Sequence, residues 1–325
     1  MTPDCITVVI PFFQREPGVL TRALASIAAQ VDCPLPIHVL VVDDASPVDP
    51  APEIAAAVWH EGQSCQLVRR PNGGPGAARN TGLEHAPPNT RLLAFLDSDD
   101  QWHAEHLQRA VKAAERGFDF YFADHFQLGQ NVGAFARAGK IDIAAHPLVD
   151  PATPQLHAYQ GDLFDQVLRG NIIGTSTVVY DFRRFAGKRF RVEFTHAGED
   201  YLFWMELITS GARAAFSSVI EATYGRGVNV YAASGWGTED FARRVYNELR
   251  YRKTVRDGFP LNASQREHVQ REISRLREAF AEDVIHRLRN GKPVSRPLVK
   301  AQRQLDPWSV VAVPWVGLRR LLGRR

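Results

Sequence analysis

Apolar, strand-like runs alternate with helix-like segments through the first hundred residues, and this alternation is the strongest constraint on the fold. The runs are rich in β-branched and other apolar residues and are short enough for strands that are covered on both faces. The predicted strands are 6–10, 37–42, 65–68 and 93–96, and the predicted helices between them are 19–30, 54–58 and 77–85. Strands that alternate with helices predict an α/β fold with a doubly wound, mostly parallel sheet. Ligands of such sheets bind at the carboxyl ends of the strands, where this chain carries polar and glycine-rich residues.

The fourth strand signal ends in three carboxylates, Asp97, Asp99 and Asp100, within four positions. An Asp-x-Asp pair at a strand end offers oxygen ligands that suit one hard divalent cation, Mn²⁺ or Mg²⁺. Such a cation could in turn hold a diphosphate. The alternative interpretation is an acidic turn that caps the following helix, because Asp is a favourable N-cap residue. Taken alone, this segment leaves both interpretations open.

Two further strand ends carry candidate binding residues. Asp43 and Asp44 end the second strand, where a carboxylate could hydrogen-bond a nucleobase or ribose, or could serve only the turn. The third strand leads into the glycine-rich segment 70–76, with Arg79 behind it. Backbone N–H groups, a guanidinium and a helix N-terminus suit an anion such as a diphosphate, although a flexible connection has a similar composition. The segment is not a P-loop, because no Gly-Lys-Ser or Gly-Lys-Thr follows it.

Residues 101–240 give more mixed signals. We expect helices at 105–116 and 201–209, a strand at 118–122, a loop followed by a strand within 171–180, and a loop-rich stretch at 126–160. The pair Glu199-Asp200 precedes the second of these helices. These acids could supply a general base for an acceptor hydroxyl, or could simply be stabilised by the helix dipole. Trp204, in the same helix, belongs to a residue type that more often packs in a core than binds a ligand.

Charge is divided unevenly along the 325 residues. Residues 1–240 contain 19 Lys and Arg against 28 Asp and Glu, a net charge of −9, whereas residues 241–325 contain 20 against 8, a net charge of +12. A basic segment behind an acidic body predicts an anionic partner. No nucleic-acid recognition module is identifiable there, so we expect no nucleic-acid partner. Residues 307–325, with two Trp and four Arg, suit an interfacial segment on an anionic membrane surface; the alternative is that they pack against the protein body.

The remaining C-terminal signals and the cysteines bear on architecture and compartment. Helices are predicted at 240–256 and 264–290, the second beginning with a capping box of Ser264 and Glu267. Three scattered cysteines without metal-ligand spacing fit a reducing compartment. No run of 18 apolar residues and no secretory-signal pattern is visible, so neither a spanning helix nor secretion is expected. We therefore expect a cytoplasmic protein, peripheral on the inner face of the membrane.

Five motifs, in this order, resemble family 2 glycosyltransferases with the GT-A fold, over roughly residues 4–235. They are VVIPFF from position 8, VVDDAS from position 41, RPNGGPGAARNTG from position 70, FLDSDD from position 95 and GEDYLFW from position 198. One departure concerns a histidine that many relatives carry after the Glu-Asp helix. The corresponding segment, 224–231, has none and offers Arg226 instead, which the resemblance places near the donor phosphates.

The resemblance implies roles for individual residues. The implied donor-binding residues are Pro11, Phe12, Asp43, Asp44, Arg79, Asp97 and Arg226. The implied acceptor-side residues are Asn171, Thr175 and Trp204. Asp99 would coordinate the metal, and Asp100 would keep only the capping role. Asp200 would be the catalytic base, with Glu199 positioning the acceptor or the sugar.

The same resemblance implies the organisation and the activity. Residues 1–238 would form the GT-A domain, with a nucleotide-binding half at 1–100 and an acceptor half at 101–238, and residues 239–325 a basic helical extension associated with the membrane. The implied enzyme is a metal-dependent hexosyltransferase. It would move a sugar, with inversion, from a nucleotide-sugar donor, UDP-linked by class frequency, to a saccharide or lipid-linked saccharide in cell-surface polysaccharide or glycan biosynthesis. The alternatives are a non-catalytic nucleotide-sugar-binding protein of the same fold and, less favoured, a sugar nucleotidyltransferase.

Overall fold

The computed structural model describes residues 3–127, 129–195, 198–225 and 236–322. The chain divides into two compact units. The first comprises Met1–Thr195 and Glu199–Val228, and the second comprises His196–Gly198 and Asn229–Arg325. The functional division predicted at residue 238 stays a prediction.

The described residues of the first unit form a nine-stranded sheet that is flanked by helices. The strands are β1 Cys5–Phe12, β2 Ile37–Asp43, β3 Gln63–Arg69, β4 Thr90–Phe95, β5 Gln101–Trp102, β6 Phe120–Phe126, β7 Leu156–Ala158, β8 Val179–Asp181 and β9 Ala214–Thr223. The helices are α1 Val19–Ala28, α2 Ala51–Ala56, α3 Pro75–His85, α4 His106–Glu115, α5 Ala134–Ala138, α6 Leu163–Gly170 and α7 Glu199–Thr209. Short 3₁₀ helices span Ile143–Ala145 and Thr175–Thr177.

The N-terminal half of the sheet has the predicted parallel arrangement. Its strand order is β3-β2-β1-β4, and every neighbouring pair in it is parallel. The central strand β1 is buried along almost its whole length, as expected for a strand covered on both faces. Its partner residues place Phe12 beside Asp43, and Asp43 beside Arg69, at one edge of the sheet. The predicted α/β fold is therefore confirmed, with its polar strand ends gathered at that edge.

The second half of the sheet is mixed in direction. Strand β8 lies between β4 and β6 and is antiparallel to both, whereas β6 and β9 are parallel. Neither β9 nor the short strand β7, which pairs with it, was predicted from the sequence. Strand β9 contains Ser217 and Glu221 at buried positions, which interrupt the apolar pattern that identified the other strands. The stretch predicted as loop-rich contains α5, a 3₁₀ turn and β7.

The described part of the second unit is helical. Its helices are α8 Glu239–Gly258, α9 Ala263–Arg289, α10 Arg296–Leu305 and α11 Pro307–Leu322. The predicted capping box of α9 is wrong by two positions. Asn262 accepts a hydrogen bond from the backbone N–H of Gln265, and the Gln265 side chain accepts one from the backbone N–H of Asn262. No described helix is both long and apolar enough to cross a bilayer.

A buried carboxylate fixes the joint between α10 and α11. Asp306 is 1% exposed and accepts hydrogen bonds from Arg277 at 2.7 Å, from Lys253 at 3.2 Å and from the Ser309 hydroxyl at 2.8 Å. Burial alone would raise the pKa of Asp306, but the hydrogen bonds from Arg277, Ser309 and Lys253 hold it below its usual range. The ionised carboxylate therefore stabilises the packing of α10 and α11 on α8 and α9.

Asp306→Asn is expected to destabilise the protein by about 2–3 kcal/mol at neutral pH. The figure is at the low end for a broken buried pair because Arg277 and Lys253 remain 19% and 18% exposed. The folded pKa is lowered, so the stabilisation is complete above the unfolded pKa and is lost as pH falls toward the folded value. Urea unfolding at several pH values should show the difference from wild type shrinking below about pH 4. Asp257→Asn, which removes an exposed partner of Arg256, is the control and should change little.

Candidate active site

The candidate site lies in the first unit, at the edge of the sheet where the parallel strands end. It combines the ends of β2 and β4, the loop that leads into α3, the 3₁₀ turn Thr175–Thr177 and the first turn of α7. Each of these segments follows or precedes a strand or helix that is largely buried. The functional side chains are therefore held by rigid elements.

Ser176 anchors the Asp-x-Asp turn at the end of β4. Its hydroxyl accepts a hydrogen bond from the backbone N–H of Asp97 at 3.0 Å and donates one to the Asp100 carboxylate at 2.5 Å. The backbone N–H of Gly225 donates to the other Asp100 oxygen at 2.9 Å. Asp100 therefore ties the turn to two neighbouring segments, and the predicted helix-capping role of Asp100 is wrong. The next helix, α4, begins only at His106.

Negative charge accumulates in this turn. The pKa of Asp100 is raised well above its usual value, chiefly by burial and then by the charges of Asp97 and Asp99. The Asp97 side chain is 35% exposed, and Asp99 is partly exposed. A positive charge placed against Asp99 would relieve the repulsion among these carboxylates.

Asp44 occupies the anion-binding position of the glycine-rich loop. Its carboxylate accepts hydrogen bonds from the backbone N–H groups of Gly73, at 3.0 and 3.1 Å, and Gly74, at 2.7 Å. Arg70 pairs with the same carboxylate. Gly74 has a φ of 85°, a conformation that glycine adopts without strain. The anion that this loop holds in the structure is thus Asp44, whereas its composition suited either a diphosphate or a flexible connection.

Asp43, Pro11 and Phe12 were also predicted on the donor side, and they lie at the ends of β2 and β1. Asp43 accepts hydrogen bonds from the backbone N–H of Ser46 at 2.8 Å and from Arg69 at 2.9 Å, so it supports the turn after β2. Pro11 is partly exposed at the end of β1, whereas Phe12 is 0% exposed and packs in the core. Side chains alternate along a strand, so Phe13, and not Phe12, lies on the face of Pro11. The structure therefore corrects Phe12 as a pocket-lining side chain.

Gln14 is a structural link that the sequence analysis missed. It is 6% exposed, and its side-chain N–H donates to the Ser98 hydroxyl at 2.9 Å, within the Asp-x-Asp turn. Its backbone N–H donates to the Ser46 hydroxyl at 2.9 Å, just beyond β2. Gln14 thus joins the ends of β1, β2 and β4. A single polar residue after an apolar strand carries no distinctive pattern, so the sequence offered no signal for this role.

Arg79 connects Asp97, which was predicted on the donor side, with Glu199, which was predicted on the acceptor side. Its guanidinium is 5% exposed and lies 2.8 Å from Asp97 and 3.4 Å from Glu199. Helix α3 approaches α7 closely here, because a Cβ on Gly76 would lie only 3.4 Å from Glu199. The Arg79 charge is therefore used to hold two carboxylates from distant parts of the chain.

The carboxylates at the start of α7 have raised pKa values. Burial and the Asp200 charge raise the pKa of Glu199 to about 7, while Arg79 acts to lower it. Burial also raises the pKa of Asp200, against the lowering effects of Arg79 and of hydrogen bonds from the Tyr201 backbone and the Thr175 hydroxyl. The Thr175 hydroxyl donates to Asp200 at 3.2 Å. A carboxylate with a raised pKa, oriented by a hydrogen bond, can act as a general base near neutral pH.

The other predicted acceptor-side residues have different positions. The Asn171 side chain hydrogen-bonds both the N–H and the C=O of Ile173, at 3.2 and 2.8 Å, and so closes a local turn. Trp204 is 0% exposed and packs against Phe95, Phe120, Phe190 and Phe203. This correction follows from burial: an acceptor cannot contact a side chain inside the core. Arg226 lies outside the described residues.

The oxygen ligands near Asp99 suit a divalent cation that is bound partly by the protein and partly by the substrate. Within the part of the chain that the structure describes, no cluster of three or more His, Cys, Asp and Glu side chains could hold a metal ion. Mg²⁺ in phosphate-transfer sites is commonly held by one or two carboxylates together with substrate phosphates and waters. Asp99, with Asp97 two residues away, matches that kind of site. The residues near Asp99 do not match a metal site whose ligands all come from the protein.

Comparison with known proteins agrees with this arrangement. Residues 7–176, slightly more than half of the chain, match the model of Glycosyl transferase family 2. The succinoglycan biosynthesis protein ExoW of Rhizobium meliloti is 34% identical over 252 residues, which cover 74% of this chain and 75% of ExoW. The chain therefore belongs to glycosyltransferase family 2, and the protein is a glycosyltransferase.

Two solved structures share the fold. S. aureus TarS 1-349 in complex with UDP-GlcNAc has a TM-score of 0.57 at 19% identity, covering 95% of this chain and 82% of that one. The mannosyltransferase PcManGT from Pyrobaculum calidifontis, in complex with GDP-Man and Mn²⁺, has a TM-score of 0.56 at 16% identity, covering 100% of this chain and 90% of that one. The predicted GT-A fold is confirmed.

Gly225→Ala tests the anchoring of the Asp-x-Asp turn. A Cβ at this position would lie 1.7 Å from the backbone oxygen of Asp99, so the turn must move. We expect kcat/KM to fall about a hundredfold, since a misplacement of about 1 Å has effects of that size. Steady-state glycosyl transfer measures the change, and thermal unfolding checks that the variant is folded. Gly187→Ala, where nothing lies within 4 Å of the new Cβ, is the matched control; equal activities of the two variants would contradict the anchoring role.

Arg79→Gln tests the electrostatics of the carboxylate cluster through pH dependence. The Arg79 charge lowers the pKa values of Glu199 and Asp200, so its removal should raise both. A base must be deprotonated, so activity falls as pH drops through the apparent pKa of the pair. The acid limb of the kcat/KM profile should therefore move to higher pH in Arg79→Gln. It should stay in place in Arg22→Gln, an exposed position on α1. An unmoved acid limb in the first variant would exclude this coupling.

Proposed function

We propose that the protein transfers a sugar, with inversion, from a nucleotide-sugar donor to a hydroxyl of a saccharide or lipid-linked saccharide. The observation that carries the proposal is the Arg79 cluster, which brings Asp97 of the donor side and Glu199 of the acceptor side to one guanidinium. Asp200 follows Glu199 directly. A donor sugar near Asp97 would thus lie next to a base suited to an incoming hydroxyl.

The donor side would be formed by the ends of β1, β2 and β4. Pro11 would border the nucleotide pocket, and Asp44 would contact the base or ribose with its turn supported by Asp43. Asp97 would contact the ribose or the donor sugar. Arg79 and Arg226 are proposed to face the diphosphate, with Arg79 also keeping Asp97 and Glu199 in place.

A divalent cation is proposed at Asp99. Mn²⁺ or Mg²⁺ bound there would neutralise part of the charge that develops on the departing diphosphate. The crowding of carboxylates in the Asp-x-Asp turn supports a cation at this position. Dependence of the activity on this metal ion is part of the same proposal.

The chemistry assigned to this chain's own residues is proton removal and orientation. The acceptor oxygen would attack the anomeric carbon on the face opposite the diphosphate, as the bond from that carbon to the phosphate oxygen breaks. The bonding electrons leave with the diphosphate, and Asp200 takes the hydroxyl proton. Base catalysis of this kind contributes about 10²–10⁴-fold. The Thr175 hydroxyl would orient Asp200, and Glu199 would orient the acceptor or the sugar.

The proposed donor, biosynthetic role and cellular location rest on the similar proteins and on the charge distribution of the chain. A UDP-linked donor is favoured by class frequency and by the UDP-GlcNAc complex of TarS, while the GDP-Man complex of PcManGT keeps a guanine nucleotide in the test panel. Similarity to ExoW supports a role in cell-surface polysaccharide biosynthesis. We place the enzyme in the cytoplasm, at the inner face of the membrane. Residues 1–100 would bind nucleotide, residues 101–238 acceptor, and residues 239–325 the membrane.

Asp200→Asn tests the proposed base. The amide cannot accept the proton, so kcat should fall about 10²–10⁴-fold while donor affinity changes little. Sugar transfer and slow donor hydrolysis, measured with Mn²⁺ across a panel of nucleotide sugars, give the rates, and calorimetry gives donor binding. Asp32→Asn, at an exposed position, is the matched control. Near-wild-type transfer by Asp200→Asn would exclude this residue as the base.

A further inference from the structure

Helix α11 carries a continuous apolar face that no described residue covers. Its large residues are each at least 50% exposed, and they are Trp308, Val311, Trp315, Leu318 and Leu322. Their spacing of three and four residues places them within an arc of about 80° on the helix. An apolar stripe of this width normally packs against a partner surface.

The opposite side of α11 is fixed in the helical unit. Val316 is 2% exposed and packs with Ala281 and Ile285 of α9. At the start of the helix, Ser309 is 0% exposed and is held by Gln302 at 3.0 Å and by the buried Asp306. Because these contacts fix the inner face of α11, the apolar stripe must face outward from the helical unit.

A row of cations lies on α10, the helix that directly precedes α11. Arg296, Lys300 and Arg303 are spaced by four and three residues on α10 and line a groove of about 500 Å³ together with Val310 of α11. None of the three forms an ion pair with any residue that the structure describes. Arg319 projects at the edge of the stripe, where it is 61% exposed. Val310, which lines the groove, directly precedes Val311 of the stripe, so the pair of helices that carries the apolar stripe also carries unneutralised positive charge.

We infer that the α11 face and the α10 groove dock onto an anionic lipid bilayer. The stripe, with its two Trp, would lie at the boundary between headgroups and acyl chains, a depth that Trp favours. Arg296, Lys300 and Arg303 would contact headgroup phosphates. With 16 residues, α11 is about 24 Å long, so it would lie along the interface.

Charge favours a membrane over a second copy of the chain. Two copies joined through this face would bring their cationic rows together, and like charges repel. An anionic bilayer instead neutralises them, in agreement with the net charge of +12 over residues 241–325. The proposed transfer reaction supplies only the biological setting, namely a membrane that carries acceptor.

Vesicle flotation of the full chain tests the inference. Wild type should float with equimolar phosphatidylcholine and phosphatidylglycerol, less so at high salt and weakly with phosphatidylcholine alone. The face variant Trp308→Ser/Leu318→Ser and the charge variant Arg296→Gln/Lys300→Gln/Arg303→Gln should each lower the partition coefficient on the order of a hundredfold. Flotation needs no donor, acceptor or metal, so failure of the proposed reaction would leave this result unchanged.

Matched controls separate the two surfaces from general effects. Trp236→Ser/Leu288→Ser removes one exposed Trp and one exposed Leu elsewhere in the unit. Arg243→Gln/Arg271→Gln/Arg275→Gln removes the same charge from α8 and α9, where each Arg is exposed. Both controls should float as wild type does, and unfolding curves should show all variants folded. Absence of wild-type flotation would overturn the inference. Equal flotation of wild type and either test variant would also overturn it. A third contradicting outcome is that wild type is a dimer, and that the face variant is a monomer which floats as well as wild type.

Discussion

The guanidinium of Arg79 is the group on which the arrangement of the site depends. It comes from α3, directly behind the glycine-rich loop, and lies between a carboxylate after β4 and one at the start of α7. The carboxylates of Asp97, Glu199 and Asp200 would repel one another if no cation lay among them. A buried cation among them makes that concentration of negative charge tolerable. Burial raises the pKa values of Glu199 and Asp200, and the Arg79 charge limits that rise.

The remaining contacts of the site serve to fix strand ends relative to each other. Gln14 and Ser176 are both buried, and each donates or accepts hydrogen bonds between segments that are distant in sequence. Gly225 contributes by having no side chain, since its backbone passes directly over the Asp99 oxygen. The proposed metal and donor chemistry would require carboxylates held within fractions of an ångström. The polar links and the glycine supply that rigidity.

The sequence predicted the parallel half of the sheet and the segments of the site, and it failed where a role depends on distant contacts. Strands β1 to β4 are continuous apolar runs, and their ends had to meet because parallel strands share a direction. Strand β9 escaped prediction because its buried Glu221 is satisfied by His106, Tyr121 and Arg109, partners that lie 100 or more residues away. Trp204 and Phe12 show the same limit. Their motifs place them in the site segment, and only the packing shows that their side chains face the core.

The second unit shows why net charge alone could not predict a surface. Some of its basic residues form ion pairs with buried carboxylates of the same unit: Arg277 and Lys253 pair with Asp306, and Arg287 pairs with Asp283. Others, such as Arg271 and Arg275, face carboxylates on their own helix, where exposed pairs contribute little. Arg296, Lys300 and Arg303 belong to neither group, and they line a groove together with Val310 of α11. Part of the excess charge of the segment therefore lies on α10, the helix that directly precedes α11, which makes the distribution of ion pairs more informative than the total.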